Sequence, residues 1–87
     1  MGTTRRRPKN LSRKLLAIRK KLDVSQTEMA RLLDLNVAYT AVSGYELGTR
    51  QPDLLVLLRY ARLAGVSTDV LIDNKLKLPA LVRPSER

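Results

Sequence analysis

Cysteine and histidine are both missing from this 87-residue chain. Without cysteine there are no disulfides, no zinc–thiolate sites and no thiol chemistry. Without histidine the commonest general base, nucleophile partner and soft-metal ligand is gone, so an enzyme would have to run on carboxylates, lysines or hydroxyls. No catalytic residue, metal site or cofactor is therefore expected. Long apolar runs are missing too. The longest, Leu54–Leu58, is far too short for a membrane span or a signal-peptide core. The Met1-Gly2-Thr3-Thr4-Arg5-Arg6 start carries Arg where a myristoylation motif needs Ser or Thr. A cytoplasmic protein without a membrane role is the expectation.

Negative charge is absent from the first 21 residues, which hold nine basic side chains and no acidic one. The remaining residues carry eight of each sign, so the whole net charge of +9 resides in the first quarter of the chain. A block of that density either attracts a polyanion or serves only as a solubilising tail. Residues 1–9, with Arg5, Arg6, Arg7 and Lys9, have nothing apolar after Met1 and are expected to form a disordered basic arm.

What is present is helical periodicity. Leu11, Leu15, Ile18 and Leu22 line one face of a first helix, leaving Arg13, Lys14, Lys20 and Lys21 largely outside it. Ser25-Gln26-Thr27-Glu28 is a capping box, in which each side chain satisfies a backbone N–H left unpaired by the first turn, so a second helix starts near Gln26. Asp34-Leu35-Asn36 breaks the pattern with residues that tolerate turn geometry. A third helix follows from about Ala38 to Glu46, with Val42 and Tyr45 facing inward and Gly48 as a left-handed cap. Asp53 caps a fourth helix whose inner face is read as Leu54, Leu57, Leu58, Ala61 and Ala64, before Gly65 stops it. Ser67 or Thr68 opens a short fifth helix ending near Ile72. The tail, residues 73–87, mixes two prolines and several charges with Leu76, Leu78, Leu81 and Val82, and is expected to be partly ordered at best. No segment alternates in the manner of a strand, so the fold class is all-α: a compact five-helix bundle over residues 10–72.

Two short helices joined by a polar turn and flanked by packing helices have the geometry of a helix-turn-helix, whose second helix enters a DNA major groove. The stretch from Leu15 to Ile72 also resembles the phage-repressor and Cro-like, or Xre-type, helix-turn-helix family. The matching elements are Arg19 ahead of Val24-Ser25-Gln26, then Glu28-Met29-Ala30, Tyr45-Glu46-Leu47-Gly48, Pro52, Ala64-Gly65-Val66 and Val70-Leu71. Their order and spacing carry the likeness, and it implies a lambda-repressor-like DNA-binding domain.

The resemblance implies roles for individual residues. Arg19 pairs with Glu46 as a structural clamp between the first and third helices. Arg19, Gln26 and Thr27, with Thr49 and Arg50 of the loop after Gly48, face DNA phosphates. Tyr39, Thr40 and Ser43 reach base edges, while Gly44 shares their face and offers nothing. The basic arm reaches around the duplex. Two departures from the family pattern stand out. The Gln26–Glu46 interval is about two residues longer, so either the turn is extended or the third helix begins half a turn early. Asp23 and Asp34 stand where glycine is common, a substitution that a left-handed turn tolerates.

The implied function is sequence-specific binding of double-stranded DNA by a transcriptional regulator, a repressor by default. It would act as a homodimer through residues near Val66–Ile72 and Leu76–Val82, because one such module buries little surface. The alternative is an antitoxin-type DNA-binding protein that also holds a protein partner through residues 73–87. Membrane binding by the basic first helix conflicts with use of its apolar face in the bundle. Single-stranded RNA would require exposed aromatic platforms, and the chain has three tyrosines and no other aromatic residue.

Overall fold

A computed structural model describes residues 10–34 and 36–79. The arm with Arg5, Arg6, Arg7 and Lys9, and the Leu81–Val82 part of the tail, lie outside the described residues. The described chain forms five helices: α1 (Leu11–Leu22), α2 (Gln26–Leu33), α3 (Tyr39–Leu47), α4 (Leu54–Ala64) and α5 (Thr68–Ile72).

Local chemistry sets most of the boundaries. Ser25 has an extended backbone and its hydroxyl accepts the Glu28 N–H at 3.0 Å, which starts α2. The Glu28 carboxylate turns instead to the Arg31 guanidinium at 2.8 Å, so only the serine half of the expected capping box forms. Asp53 accepts the Val56 N–H at 2.9 Å and starts α4. Left-handed residues end four helices: Asp23 (φ 63°), Asp34 (φ 50°), Gly48 (φ 80°) and Gly65 (φ 73°). The long interval before Glu46 is taken up in the turn. Asp34 and Asn36 (φ 55°) both adopt positive φ, and Ala38 precedes α3 in extended conformation, so α3 begins at Tyr39.

The core is one cluster to which every helix contributes. Leu15 and Ile18 of α1, Met29 and Leu33 of α2, Val42 of α3, Tyr60 of α4 and Leu71 of α5 are wholly buried. Each such aliphatic side chain contributes about 1.5–3 kcal/mol. Tyr45 meets Tyr60 edge to face with ring centroids 6.5 Å apart, so both rings serve packing. α3 packs on α2 and α1, while α1 also touches α4 and α5. α2 is held chiefly by α3 and α4, so α1 and α4 each touch three of the other helices.

Two expectations about side-chain direction fail. The buried face of α4 is Val56, Leu57, Tyr60 and Ala61, whereas Leu54 is 78 % exposed. Apolar residues occupy every position of the Leu54–Leu58 run, so periodicity within it cannot distinguish the inner face; the packing of Tyr60 does. Lys14, expected outside, is buried. Its ammonium donates to the carbonyls of Val70 (2.6 Å), Asp73 (3.1 Å) and Leu76 (2.8 Å). These carbonyls lie at and beyond the end of α5, where the helix leaves acceptors unpaired and the helix dipole favours a cation. Lys14 thereby ties the segment after α5 to α1, and Leu78 packs against the core.

Candidate nucleic-acid interface

α3 has two faces with different duties. At about 100° per residue, Ala41, Val42 and Tyr45 point inward and are buried, while Thr40, Ser43, Gly44 and Leu47 fall on the opposite side. Tyr39 borders that outer side and is 56 % exposed; Thr40 is exposed and Ser43 half-buried. All three residues expected to reach bases therefore lie on or beside one outward surface.

The helix is held from below by a compact ionic network. Arg19 Nε donates to Glu46 Oε2 at 2.6 Å and Nη2 donates to Oε1 at 3.1 Å, giving a two-pronged pair. A third donor, Nη1, reaches the Val24 carbonyl at 2.9 Å and ties in the entry to α2. The side chains are only 17 % and 5 % exposed, so this is a mostly buried pair and not a surface contact. The hydrogen bond to Glu46 raises the Arg19 pKa further above its ordinary range, against the effect of burial. Three of the five guanidinium N–H donors are thus used inside the protein, leaving two for any outside anion.

Gln26 joins the same network. Its amide Nε2 donates to Glu46 Oε1 at 3.0 Å, which fixes the side chain at the start of α2. Thr27, next to it, is exposed. Thr27 and Tyr39 line a common groove with Ala30, Arg31, Asp34, Asn36 and Val37, a groove bordered by the extended turn. The loop after α3 folds back on its own helix: the Thr49 and Arg50 N–H groups donate to the Gly44 carbonyl at 3.0 and 3.2 Å, and the Thr49 hydroxyl approaches it at 3.4 Å. Gly44 permits this fold. A Cβ there would stand 2.9 Å from Arg50 Cβ, so its place on the outer face is taken by the loop. Thr49 and Arg50 are held exposed at the helix end.

Two residues on this surface escaped the sequence reading. Arg31 follows Thr27 by one helical turn and lines the same groove, a position that i, i+4 spacing makes legible. Leu47, 73 % exposed, continues the Thr40–Ser43 stripe by a further turn. Beneath the clamp the Tyr60 hydroxyl is buried with no hydrogen-bond partner, and burial, with the Glu46 charge adding to it, pushes its pKa well above the usual phenol value. Among the described residues no helix is long and apolar enough to cross a membrane.

Comparison with known proteins points the same way. A helix-turn-helix family model matches residues 15–71. Among solved structures, the chain is similar to the P22 c2 repressor protein, crystallised in complex with synthetic operator 9T in the presence of Tl+. The two share 25 % sequence identity and a TM-score of 0.66, over 74 % of this chain and 94 % of that one. A search of curated proteins finds no match. Five helices in this arrangement, a clamped third helix and a family match over more than half the sequence agree: the chain belongs to the phage-repressor-like, Xre-type helix-turn-helix family.

Proposed function

We propose that this protein is a sequence-specific, double-stranded DNA-binding transcription regulator that acts as a repressor, by laying α3 in the major groove and obstructing polymerase. The observation that carries the reading is the division of α3 into a clamped inner face and an outer face with Tyr39, Thr40 and Ser43 available. Phosphate contacts are assigned to Gln26 and Thr27 at the α2 N-terminus and to Thr49 and Arg50 in the loop. The two spare Arg19 donors serve the same backbone, and the arm residues Arg5, Arg6, Arg7 and Lys9 add charge. The likeness to the P22 c2 repressor, crystallised in complex with a synthetic operator, supports the DNA-binding part of this reading.

A homodimer fits the small size of one module. Among the described residues of the two segments Val66–Ile72 and Leu76–Val82, Ile72 and Leu76, 41 % and 40 % exposed, offer apolar surface for that contact. Selection of bound duplexes from a random pool tests the proposal. The expected outcome is an enriched motif with two-fold symmetry. Joint replacement Gln26→Ala, Thr40→Ala and Arg50→Ala should then abolish selective binding. Arg50→Ala alone should weaken all sequences similarly and reduce the salt dependence by about one counterion. Failure to enrich any sequence, or unchanged affinity of the triple variant, would overturn the proposal.

A further inference from the structure

The composition of the outer face of α3 narrows what it can read. The helix sequence is Tyr-Thr-Ala-Val-Ser-Gly-Tyr-Glu-Leu, without lysine, arginine, asparagine or glutamine. Those are the side chains that grip guanine or adenine edges through paired hydrogen bonds. Its one charged residue, Glu46, is 5 % exposed and committed to Arg19 and Gln26, so it cannot accept from a cytosine amino group. Gly44, central on the face, is covered by the returning loop. What remains outward is Tyr39, Thr40, Ser43 and Leu47: three hydroxyls, a threonine methyl, a phenol ring and a leucine 73 % exposed. Hydroxyls both donate and accept and therefore discriminate weakly among base edges. In the major groove of unmodified DNA, the apolar feature of a base edge is the C5-methyl group of thymine.

We infer that α3 recognises its site chiefly through thymine methyl groups, with Leu47 and Tyr39 as apolar contact residues and Thr40 contributing its methyl more than its hydroxyl. This rests on the DNA-binding reading above and names the class of sequence it selects: half-sites rich in thymine where α3 lies. Leu47 is a specificity residue on this account. An exposed leucine at the end of a helix facing water gains nothing from that exposure, whereas against a methyl-lined groove wall it excludes water from two apolar surfaces.

The test uses the full chain and a duplex recovered by selection, with thymine replaced position by position by deoxyuracil, which keeps the pairing and hydrogen-bonding groups and removes only the methyl. Each contacted position should lose about fourfold in affinity, the effect of withdrawing one buried methyl. Leu47→Ala should erase the difference between thymine and deoxyuracil at its own position, and Tyr39→Ala at another. Both side chains are exposed, so the fold is kept. Thr40→Val, which deletes the hydroxyl and retains a methyl, should leave the preference in place. Equal binding of thymine and deoxyuracil duplexes by a protein that still selects a sequence overturns this inference and spares the DNA-binding reading. Loss of selectivity in Thr40→Val with indifference to deoxyuracil does the same and assigns recognition to hydroxyls. If no duplex is selected at all, both readings fall together.

Discussion

α1 holds two cations, Lys14 buried and Arg19 half-buried, and each is satisfied in its own way. Arg19 faces a carboxylate: its planar fork meets both oxygens of Glu46 and its remaining arm takes the Val24 carbonyl. Lys14 meets carbonyl dipoles, with its three donors spread over Val70, Asp73 and Leu76. A guanidinium has a fixed shape and imposes it on its partner, so Arg19 sets the rotation of α3. An ammonium is a point charge with three turnable donors, suited to three carbonyls diverging from a helix end. One cation thus orients the surface that would face DNA, and the other fastens the segment after α5. The two are not interchangeable.

The largest effect should come from breaking the first site. Glu46→Ala leaves a mostly buried guanidinium without its counter-ion and should cost about 3 kcal/mol in denaturant unfolding. A loss below about 1 kcal/mol would reduce the clamp to an ordinary surface pair. The second site should yield less and yield locally. Lys14→Met strands carbonyls near the surface, where water can partly replace the ammonium, and should cost about 2 kcal/mol. Its signature is faster tryptic cleavage after Lys75 and Lys77; unchanged cleavage would mean that Lys14 does not hold the segment. The smallest change concerns the orphan hydroxyl beneath the clamp. Tyr60→Phe removes a buried donor with no partner while keeping the ring against Tyr45, and should stabilise the protein by about 1 kcal/mol. Destabilisation of that size would reveal a hydrogen bond that Tyr60 makes in solution.

The parts legible in the sequence are those whose causes lie within a few residues. Ser25 and Asp53 cap helices because their side chains reach an N–H three residues on, and Gly48 and Gly65 end helices because glycine tolerates positive φ. The Arg19–Glu46 pair was legible differently, through likeness to a family, since no local pattern connects residues 27 positions apart. Lys14 was not legible. Its position beside the apolar stripe of α1 reads as solvent-facing, and its three acceptors are 56 to 62 residues away. On α4 the expectation held for Leu57 and Ala61 but placed Leu54 inward in place of Val56 and Tyr60, because a run of five apolar residues has no polar side to mark its rotation.

By itself, the order of residues determined that this chain is helical, that α2 and α4 begin at the caps Ser25 and Asp53, that α3 and α4 stop at Gly48 and Gly65, and that the chain has no histidine or cysteine. Those outcomes follow from covalent neighbours, hydrogen bonds across one turn, and composition. Only the tertiary structure decided how far the turn before α3 extends, that Gln26 is wired to Glu46, that Gly44 gives way to Arg50, and that Leu47 is left in water. Each depends on which distant surface arrives to cover a group, and burial is a property of the assembled core that no short window of sequence contains.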